Sequence, residues 1–279
     1  MKKVIVLLLA AALLLSVVGC KKAENKKLTV AMSPDFAPME FVDTSKTGQE
    51  QYVGFDVTLA NFLADELGME LEIKPMSFDA CMTAVQLGSV DMAISGFSWK
   101  PDRAENFLLS DYYIAGDNET QQSVITVKAK ENTCKTQADF SGWKVGAQAS
   151  SLQEQLVKDE LIPAGAELVV YKSIDDAVLA LQTGKIDALA VAHGNGEAII
   201  ANNPDLAFTG FDFDVDPKYE NNVILLNKSN TEMLEKVNQV LAKAMAAGVY
   251  DGWYEDAKAL AGIPTAADVS YDDDGKPVS

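Results

Sequence analysis

The sequence predicts a two-lobed α/β protein, and two observations carry that prediction. The stretch SFDACMTAVQLGSVDMAIS, which starts at Ser77, recurs without a gap as SIDDAVLALQTGKIDALAV from Ser173. Around each copy, apolar β-branched runs alternate with helically spaced apolar positions, in the order strand, helix, strand, helix, strand. Such alternation is typical of lobes built on parallel sheets. We therefore expect two α/β lobes that face each other across a cleft.

The first elements of each lobe precede the repeated stretch. The runs LTVAM, from Leu28, and WKVGA, from Trp143, read as buried strands. Helical spacing follows in DVTLANFLADELG and in SLQEQLVKDEL, and the short runs LEIKPM and ELVVYK read as the second strands. The first lobe is longer because FVDTSKTGQEQYVG is inserted after its first strand.

The repeated stretch itself predicts a helix followed by a strand. Ser173 and Asp176 form a plausible capping box at the start of the second copy. Gly88 and Gly184 suit the carboxyl ends of the two helices. VDMAIS and IDALAV then predict the buried third strands.

The chain after the second lobe predicts a return to the first. VILLNK, from Val223, reads as a strand, and the helical pattern beyond it has no third copy to join. Two crossings, near Ile114–Gln122 and near Asn222, would act as a two-strand hinge. We therefore predict lobe 1 at residues 28–115 and 223–262, and lobe 2 at residues 116–222.

The two ends of the chain predict export and a membrane anchor. Residues 1–19 combine a basic start with an apolar run too short for a membrane span, which predicts a signal peptide. Val-Val-Gly-Cys looks like a lipoprotein cleavage box, which implies lipidation of Cys20. Residues 20–27 would be a lipid-anchored stalk and residues 263–279 an acidic flexible tail.

Composition excludes several classes of function. The net charge of −18 argues against nucleic acid or anionic lipid as a partner. His193 is the single histidine of the chain, so a histidine-rich metal site is excluded, and we expect no cofactor. Cys81 and Cys134 could pair outside the cell, but the favoured interpretation is two free thiols, with Cys81 in the core.

Residues that follow the strands are the candidates for binding. In α/β lobes, ligands bind beyond the carboxyl ends of the strands, and clefts between domains are common sites. The segments placed there are Ser33–Phe36, Ser95–Ser98, Ala149–Leu152 and Ala192–Glu197.

Five stretches together resemble a known family. They are GFDVTLANFLADELG, DMAISGFSWKPDR, LSDYY, KVGAQASS and AAGVYDGWYED. From about Leu28 to Gly262 the chain is similar to the bacterial extracellular solute-binding proteins of polar amino-acid uptake. These are type II periplasmic binding proteins that serve ABC importers, so the resemblance implies the same fold and a ligand cleft between the lobes.

The resemblance implies a role for the residues after the third strand of lobe 1. It implies that Arg103 binds a ligand carboxylate, which a guanidinium fork matches bidentately. Ser95, Gly96 and Ser98 would add backbone and hydroxyl contacts to the same group.

Other implied contacts come from both lobes. Ser150 and Ser151 open a predicted helix whose free N–H groups favour an anion, although the family usually has glycine and threonine there. Phe36 and Phe78 match positions where the family places apolar walls against the ligand.

The chain departs from the family where a ligand ammonium is held. Most amino-acid binders carry a carboxylate at the position of Ala192, and many carry a second acid at the position of Ser33. Because a buried unpaired ammonium is costly, either other groups replace these acids or the ligand lacks a primary α-ammonium. The candidate replacements are Glu119, Gln121, Glu197 and His193.

The resulting prediction is an extracytoplasmic, monomeric lipoprotein that captures an amino acid or related carboxylate for an ABC permease. A binder of an organic acid or an N-substituted amino acid is the alternative. Relatives of the family include cyclohexadienyl dehydratases, but no catalytic constellation is evident, so we expect no enzyme. A sensor-presenting protein of the same fold also stays open.

Overall fold

The computed structural model describes residues 26–113, 121–219, 221–265, 270–271 and 277–278. The predicted signal peptide, Cys20 and Glu119 lie outside these residues. Among the helices that the model does describe, none is long and apolar enough to cross a membrane.

The strands are short and fall into four sheets. In chain order they are β1 Lys27–Met32, β2 Asp35–Phe36, β3 Glu40–Val42, β4 Tyr52–Val53, β5 Glu70–Pro75, β6 Met92–Ala93, β7 Leu108–Leu109, β8 Gln122–Val127, β9 Lys144–Gln148, β10 Glu167–Tyr171, β11 Ala188–Ala192, β12 Leu206–Asp212, β13 Leu225–Leu226, β14 Ser270–Tyr271 and β15 Pro277–Val278.

The described α-helices are α1 Phe55–Leu67, α2 Phe78–Gln86, α3 Pro101–Asn106, α4 Leu152–Leu156, α5 Ile174–Gln182, α6 His193–Asn202, α7 Thr231–Ala247 and α8 Tyr250–Leu260. A π-helical turn, Val157–Leu161, continues α4. Short 3-10 helices span Gly48–Gln51, Lys128–Lys130, Gln137–Phe140 and Pro217–Tyr219.

Two five-stranded sheets form the centres of the two lobes. The strand order is β5-β1-β6-β13-β7 in lobe 1 and β10-β9-β11-β8-β12 in lobe 2. Strands β5, β1 and β6 are parallel, as are β10, β9 and β11. The predicted parallel α/β lobes are therefore confirmed for these three strands of each five-stranded sheet.

Each sheet also contains one antiparallel strand, which the sequence pattern did not predict. Strand β13 runs antiparallel to β6 and β7, and β8 runs antiparallel to β11 and β12. Both strands follow a passage of the chain from one lobe to the other, so they enter their sheets from the cleft side. At the passage itself, Asn222 forms antiparallel bridges with Ser98 and Tyr113.

The repeated stretches fold alike and have a structural role. Helices α2 and α5 occupy the same positions in the two copies. The shared aspartates tie strands together: Asp91 accepts hydrogen bonds from the N–H and hydroxyl of Thr29, and Asp187 accepts one from the N–H of Lys144. The repetition therefore encodes the lobe scaffold.

Helices cover both faces of each sheet. In lobe 1, α1, α7 and α8 pack on one face and α2 packs on the other. In lobe 2, α4 and α5 cover opposite faces. The cysteines are free and buried in different lobes, Cys81 with α2 and Cys134 beside Phe140.

The insertion in lobe 1 takes part in a small sheet of β2, β3 and β4, in which β2 precedes the insertion. The insertion ends at Gly54, which lies against the backbone of Met39: a Cβ at position 54 would be 2.4 Å from the carbonyl oxygen of Met39. Gly54 also has a φ of 119°, a conformation that other residues rarely adopt. Two residue pairs of the predicted tail form the short hairpin of β14 and β15.

We expect Gly54→Ala to destabilise the protein by at least about 3 kcal/mol, because it adds a clash to an unfavourable φ. Gly48→Ala is the matched control, since Gly48 has a φ of 65° and open space around its Cβ position. It should cost only about 1 kcal/mol. Urea denaturation measures both, and equal losses would contradict the close approach at Gly54.

Candidate ligand-binding site

A cavity lies between the two lobes, at the carboxyl ends of their central strands, with about 520 Å³ of empty space that includes its opening to solvent. Its lining comes from both lobes, as the sequence predicted for the cleft. The predicted site residues that line it are Ser33, Phe36, Phe78, Ser95, Gly96, Ser98, Arg103, Ser151 and Ala192.

Arg103 presents a buried positive charge to this cavity. Its side chain is 1% exposed, and its guanidinium donates to the carbonyl oxygens of Ser98, at 2.5 Å, and Ser150, at 3.0 Å. Its Nε has no hydrogen-bond partner among the described residues. Burial lowers the pKa of Arg103 to about 10. The guanidinium is therefore positioned by carbonyl groups and retains unused donors.

Two phenylalanine rings, Phe36 and Phe78, are part of the cavity lining. Phe78 stacks on Phe97 with ring centroids 4.5 Å apart, and the Arg103 guanidinium lies 5.5 Å from the Phe78 ring centroid. Phe36 packs against the cores of both lobes. The Phe36 ring lies against Gly96, where a Cβ would approach it to 2.6 Å.

The polar groups of Ser95 and Gly96 are already used inside lobe 1. The Ser95 hydroxyl donates to Glu40 and accepts from the N–H of Ser33 at 3.0 Å. The Gly96 N–H donates to Asp56 at 2.7 Å. These two residues thus shape the floor of the cavity, and the backbone donor expected from Gly96 is occupied.

Ser150 and Ser151 differ in position. Ser151 caps α4 by accepting from the N–H of Glu154, while its hydroxyl donates to the carbonyl of Gln148. Ser150 has a φ of 65° and does not line the cavity. Its carbonyl instead reaches Arg103 from the opposite lobe.

Two carboxylates that the sequence interpretation did not name as site residues also line the cavity, although Asp35 falls within the predicted segment Ser33–Phe36. Asp35 and Glu40 follow β1, close to Ser33, and both belong to lobe 1. The available signal was two acids within SPDFAPMEF, an otherwise largely apolar segment directly after a buried strand. Ala192 also lines the cavity and is 2% exposed. Because its side chain is a methyl group, this position brings no charge to the cavity.

Asp35 connects the lobes. Its carboxylate accepts from the Ser33 hydroxyl at 2.8 Å and from the Ile174 N–H at 2.7 Å, with Gln148 Nε2 at 3.3 Å. Because Ile174 begins α5, an acid of lobe 1 caps a helix of lobe 2. Burial raises the pKa of Asp35, and these hydrogen bonds oppose that shift.

Glu40, which lines the cavity, forms a buried carboxyl pair with Asp56, which is not in the lining. Asp56 accepts from the Gly96 N–H and from the Tyr113 hydroxyl at 3.1 Å, and it is hydrogen-bonded to Glu40. Burial raises the pKa of Asp56 to about 7 and that of Glu40 well above its usual range, with the negative charge of Asp56 adding to the effect on Glu40. A proton held by the pair would also satisfy its two otherwise unpartnered oxygens.

Those proposed replacements for the missing acids that the structure describes lie outside the cavity lining. His193 stacks on Phe208 with centroids 4.4 Å apart, and its Nδ1 is 2.8 Å from the Ser123 hydroxyl. Neither His193, Glu197 nor Gln121 is in the cavity lining. Glu119 lies outside the described residues, so its role stays a prediction.

The two lobes are in direct contact around the cavity. Besides the bonds from Ile174 to Asp35 and from Arg103 to Ser150, the Asn195 side-chain amide donates to the carbonyl of Ala37 at 2.9 Å. Hydrogen bonds on several sides of the cavity define a closed arrangement of the lobes.

The buried pair should make stability depend on pH. Between the unfolded pKa of about 4 and the folded pKa of about 7 for Asp56, the native state binds a proton that the unfolded chain has lost. The free energy of unfolding should therefore fall as pH rises through this window. Asp56→Asn should reduce that fall relative to wild type.

Denaturant unfolding at several pH values measures this dependence. Asp65→Asn is the matched control, because Asp65 is an exposed acid on the same helix. A variant Asp56→Asn that kept the full wild-type fall would contradict a protonated pair.

Comparisons with known proteins agree with this geometry. The family model described as "Bacterial extracellular solute-binding proteins, family 3" matches residues 28–256. Among curated relatives, the "Arginine-binding extracellular protein ArtP" of Bacillus subtilis is 28% identical, over 86% of this chain and 92% of its own length. The "Probable histidine-binding protein" of Campylobacter jejuni is also 28% identical, over 90% and 96%.

Solved structures extend the similarity to the whole fold. The amino acid ABC transporter substrate-binding protein AbpA of Streptococcus pneumoniae, bound to L-arginine, superposes with a TM-score of 0.76 at 34% identity. The match covers 85% of this chain and 97% of that one. The fold is the type II periplasmic-binding-protein fold, and the chain belongs to the family 3 bacterial extracellular solute-binding proteins.

Proposed function

We propose that this protein captures an amino acid, or an amino-acid-like carboxylate, between its lobes and delivers it to an ABC permease. The observation that carries the proposal is the buried guanidinium of Arg103, which faces the interlobe cavity with only carbonyl partners. Leaving a buried charge without a counter-ion is costly, and a ligand carboxylate removes that cost. The unused Nε and Nη donors suit its two oxygens.

The opposite charge in the cavity favours an amino acid over a simple organic acid. Asp35 lines the same space as Arg103, so the site presents both signs of charge to a ligand. Relatives named for binding arginine and histidine support the same ligand class. The alternative is an organic acid or an N-substituted amino acid, and the neutral Ala192 is the observation that favours it.

Closure of the lobes would complete capture. Arg103 and the Ser98 segment belong to lobe 1, and Ser150 reaches Arg103 from lobe 2. A ligand bound first to lobe 1 would then be enclosed as Ser150, Ser151 and Asn195 approach. Phe36 and Phe78 would supply the apolar walls. The closed form would dock on the permease.

Localisation follows the family, which is extracellular. We further propose that Cys20 is lipidated, which would tether a monomeric binding unit to the outer face of the cell membrane through the stalk of residues 20–27. We expect no enzymatic activity, since the one histidine of the chain lies outside the cavity lining. A role in presenting ligand to a sensor uses the same capture step.

Arg103→Ala should weaken binding of the native ligand by roughly 100-fold or more, because it removes the buried partner of the carboxylate. Arg103→Lys should also lose most of this affinity, since lysine lacks the planar guanidinium group that binds a carboxylate through two hydrogen bonds. A thermal-shift panel of amino acids, N-acyl and N-methyl forms and organic acids identifies the ligand, and titration calorimetry then compares the variants.

The control for charge is Lys243→Ala, which removes an exposed lysine of lobe 1 that pairs with Glu66 away from the cavity. It should leave affinity unchanged. Wild-type affinity in Arg103→Ala, with a normal melting curve, would overturn the proposed carboxylate site.

Lipidation is tested separately on the full chain expressed in a bacterium. A clickable fatty acid should label the wild-type protein and leave Cys20→Ser unlabelled, because the acyl chains attach at that cysteine. Cys134→Ser, which removes a buried thiol, should keep the label. Labelling of Cys20→Ser would contradict the proposed anchor.

A further inference from the structure

The two lobes also meet at a second place, outside the ligand cavity. Ala261 and Ile263 follow α8 of lobe 1, and they are buried against Ala198 of lobe 2, at 6% and 4% exposure. Ala37 and Phe41 of lobe 1 pack against the same cluster. None of these five residues lines the cavity. This contact between the lobes is therefore separate from any contact with a ligand.

The end of α8 directs the chain toward lobe 2. The N–H of Ile263 donates to the carbonyl of Lys258 at 3.0 Å, and the N–H of Gly262 donates to that of Ala259 at 3.2 Å. These two bonds form a Schellman motif, which ends a helix through a residue in the left-handed conformation. Gly262 is that residue, with a φ of 75°. The motif thereby fixes the direction in which Ile263 leaves the helix.

Hydrogen bonds accompany the apolar contact. The side-chain amide of Asn202, at the end of α6, donates to the carbonyl of Ala261 at 3.1 Å. From the same helix, the amide of Asn195 donates to the carbonyl of Ala37 at 2.9 Å. Asn195, Ala198 and Asn202 recur at helical spacing, so they share one face of α6. That face of lobe 2 is therefore the surface on which the end of α8 rests.

These contacts join one lobe to the other, so they exist only while the lobes are closed. When the lobes separate, Ile263 loses its neighbour in lobe 2, and the carbonyl of Ala261 loses its donor. Exposing an apolar side chain to water costs free energy in proportion to the area exposed. An interaction that is present in only one of two conformations shifts the equilibrium toward that conformation. The contact therefore favours the closed form.

We infer that residues 261–263 act as a strap that holds the lobes closed, with α6 of lobe 2 as the surface to which the strap binds. The strap increases ligand affinity without touching the ligand, because a ligand enclosed between the lobes leaves through the open form. Removing the strap raises the population of the open form, and the apparent affinity falls by the same factor. This device does not depend on which ligand the cavity takes, so the inference goes beyond the proposed function.

Ile263→Ala and Asn202→Ala remove the two parts of this contact from opposite lobes. Each should weaken the binding of L-arginine, which serves as the probe, by about threefold to tenfold. Titration calorimetry on the full chain measures the affinity. The double variant should lose more affinity than either single variant, because the apolar contact and the hydrogen bond both act on the same closing step.

Asn61→Ala and Ile162→Ala are the matched controls. Asn61 is an exposed residue of α1 whose amide donates to the carbonyl of Val57, as the amide of Asn202 also does to Ala198 within α6. Ile162 is an isoleucine of lobe 2 that is 43% exposed and lies outside the cluster. Both control variants should bind L-arginine with wild-type affinity.

Distances between the lobes test the strap without a ligand. Spin labels at Asp65→Cys in lobe 1 and Lys185→Cys in lobe 2 occupy exposed positions of the full chain. Cys20→Ser removes the predicted lipidation site, and the remaining thiols, Cys81 and Cys134, are buried. Adding Ile263→Ala and Asn202→Ala to this labelled chain should shift the distribution toward longer, open distances.

The double variant decides between the outcomes. If it binds L-arginine as tightly as the wild type, the strap is overturned. If the wild type does not bind L-arginine, that result counts against the proposed ligand class alone, and the unliganded distances decide. An unchanged distribution of distances in the double variant then overturns the strap, and a shift to open distances supports it.

Discussion

The buried guanidinium of Arg103 is the constraint on which the cleft depends. Carbonyl oxygens from both lobes position it, and two phenylalanine rings of lobe 1 lie against it. Carbonyl dipoles alone are a weak substitute for a counter-ion at a buried charge. Under the proposed function, a ligand carboxylate would supply the missing counter-ion, and ligand binding would thereby be coupled to lobe closure.

The buried acidic residues of lobe 1 lie in two places, at the floor of the cavity and at the boundary between the lobes. The Glu40–Asp56 pair lies at the floor of the cavity, and the hydroxyl of Tyr113, which donates to Asp56, connects the pair to the crossing at Asn222. Asp35 lies at the lobe boundary and caps a helix of lobe 2. Burial raises the pKa values of the pair at the floor, and the single acid at the boundary connects lobe 1 to the partner lobe.

Residues that the two copies of the repeat share build the scaffold of each lobe, and residues in which the copies differ line the cavity. Asp91 and Asp187 do the same structural work in both lobes, tying the third strand to the first. The copies differ just beyond, at the strand ends that meet the cavity, where lobe 1 has Ser95 and Gly96 and lobe 2 has Val191 and Ala192. Every residue that lobe 2 contributes to the cavity lining is uncharged.

The sequence by itself determined the two lobes, the repeated helices and the strand ends that form the cleft, because hydrophobic periodicity and the repeat are local signals. Through motifs, it also named Arg103 and eight other residues that line the cavity. It placed Asp35 in a predicted cleft segment without naming it as a site residue, and it did not reveal Glu40 or the antiparallel direction of the strands that follow each crossing. Tertiary structure decided these features, because the direction of a side chain after a strand and the pairing of Asp35 with Ile174, far away in the sequence, depend on how the lobes meet.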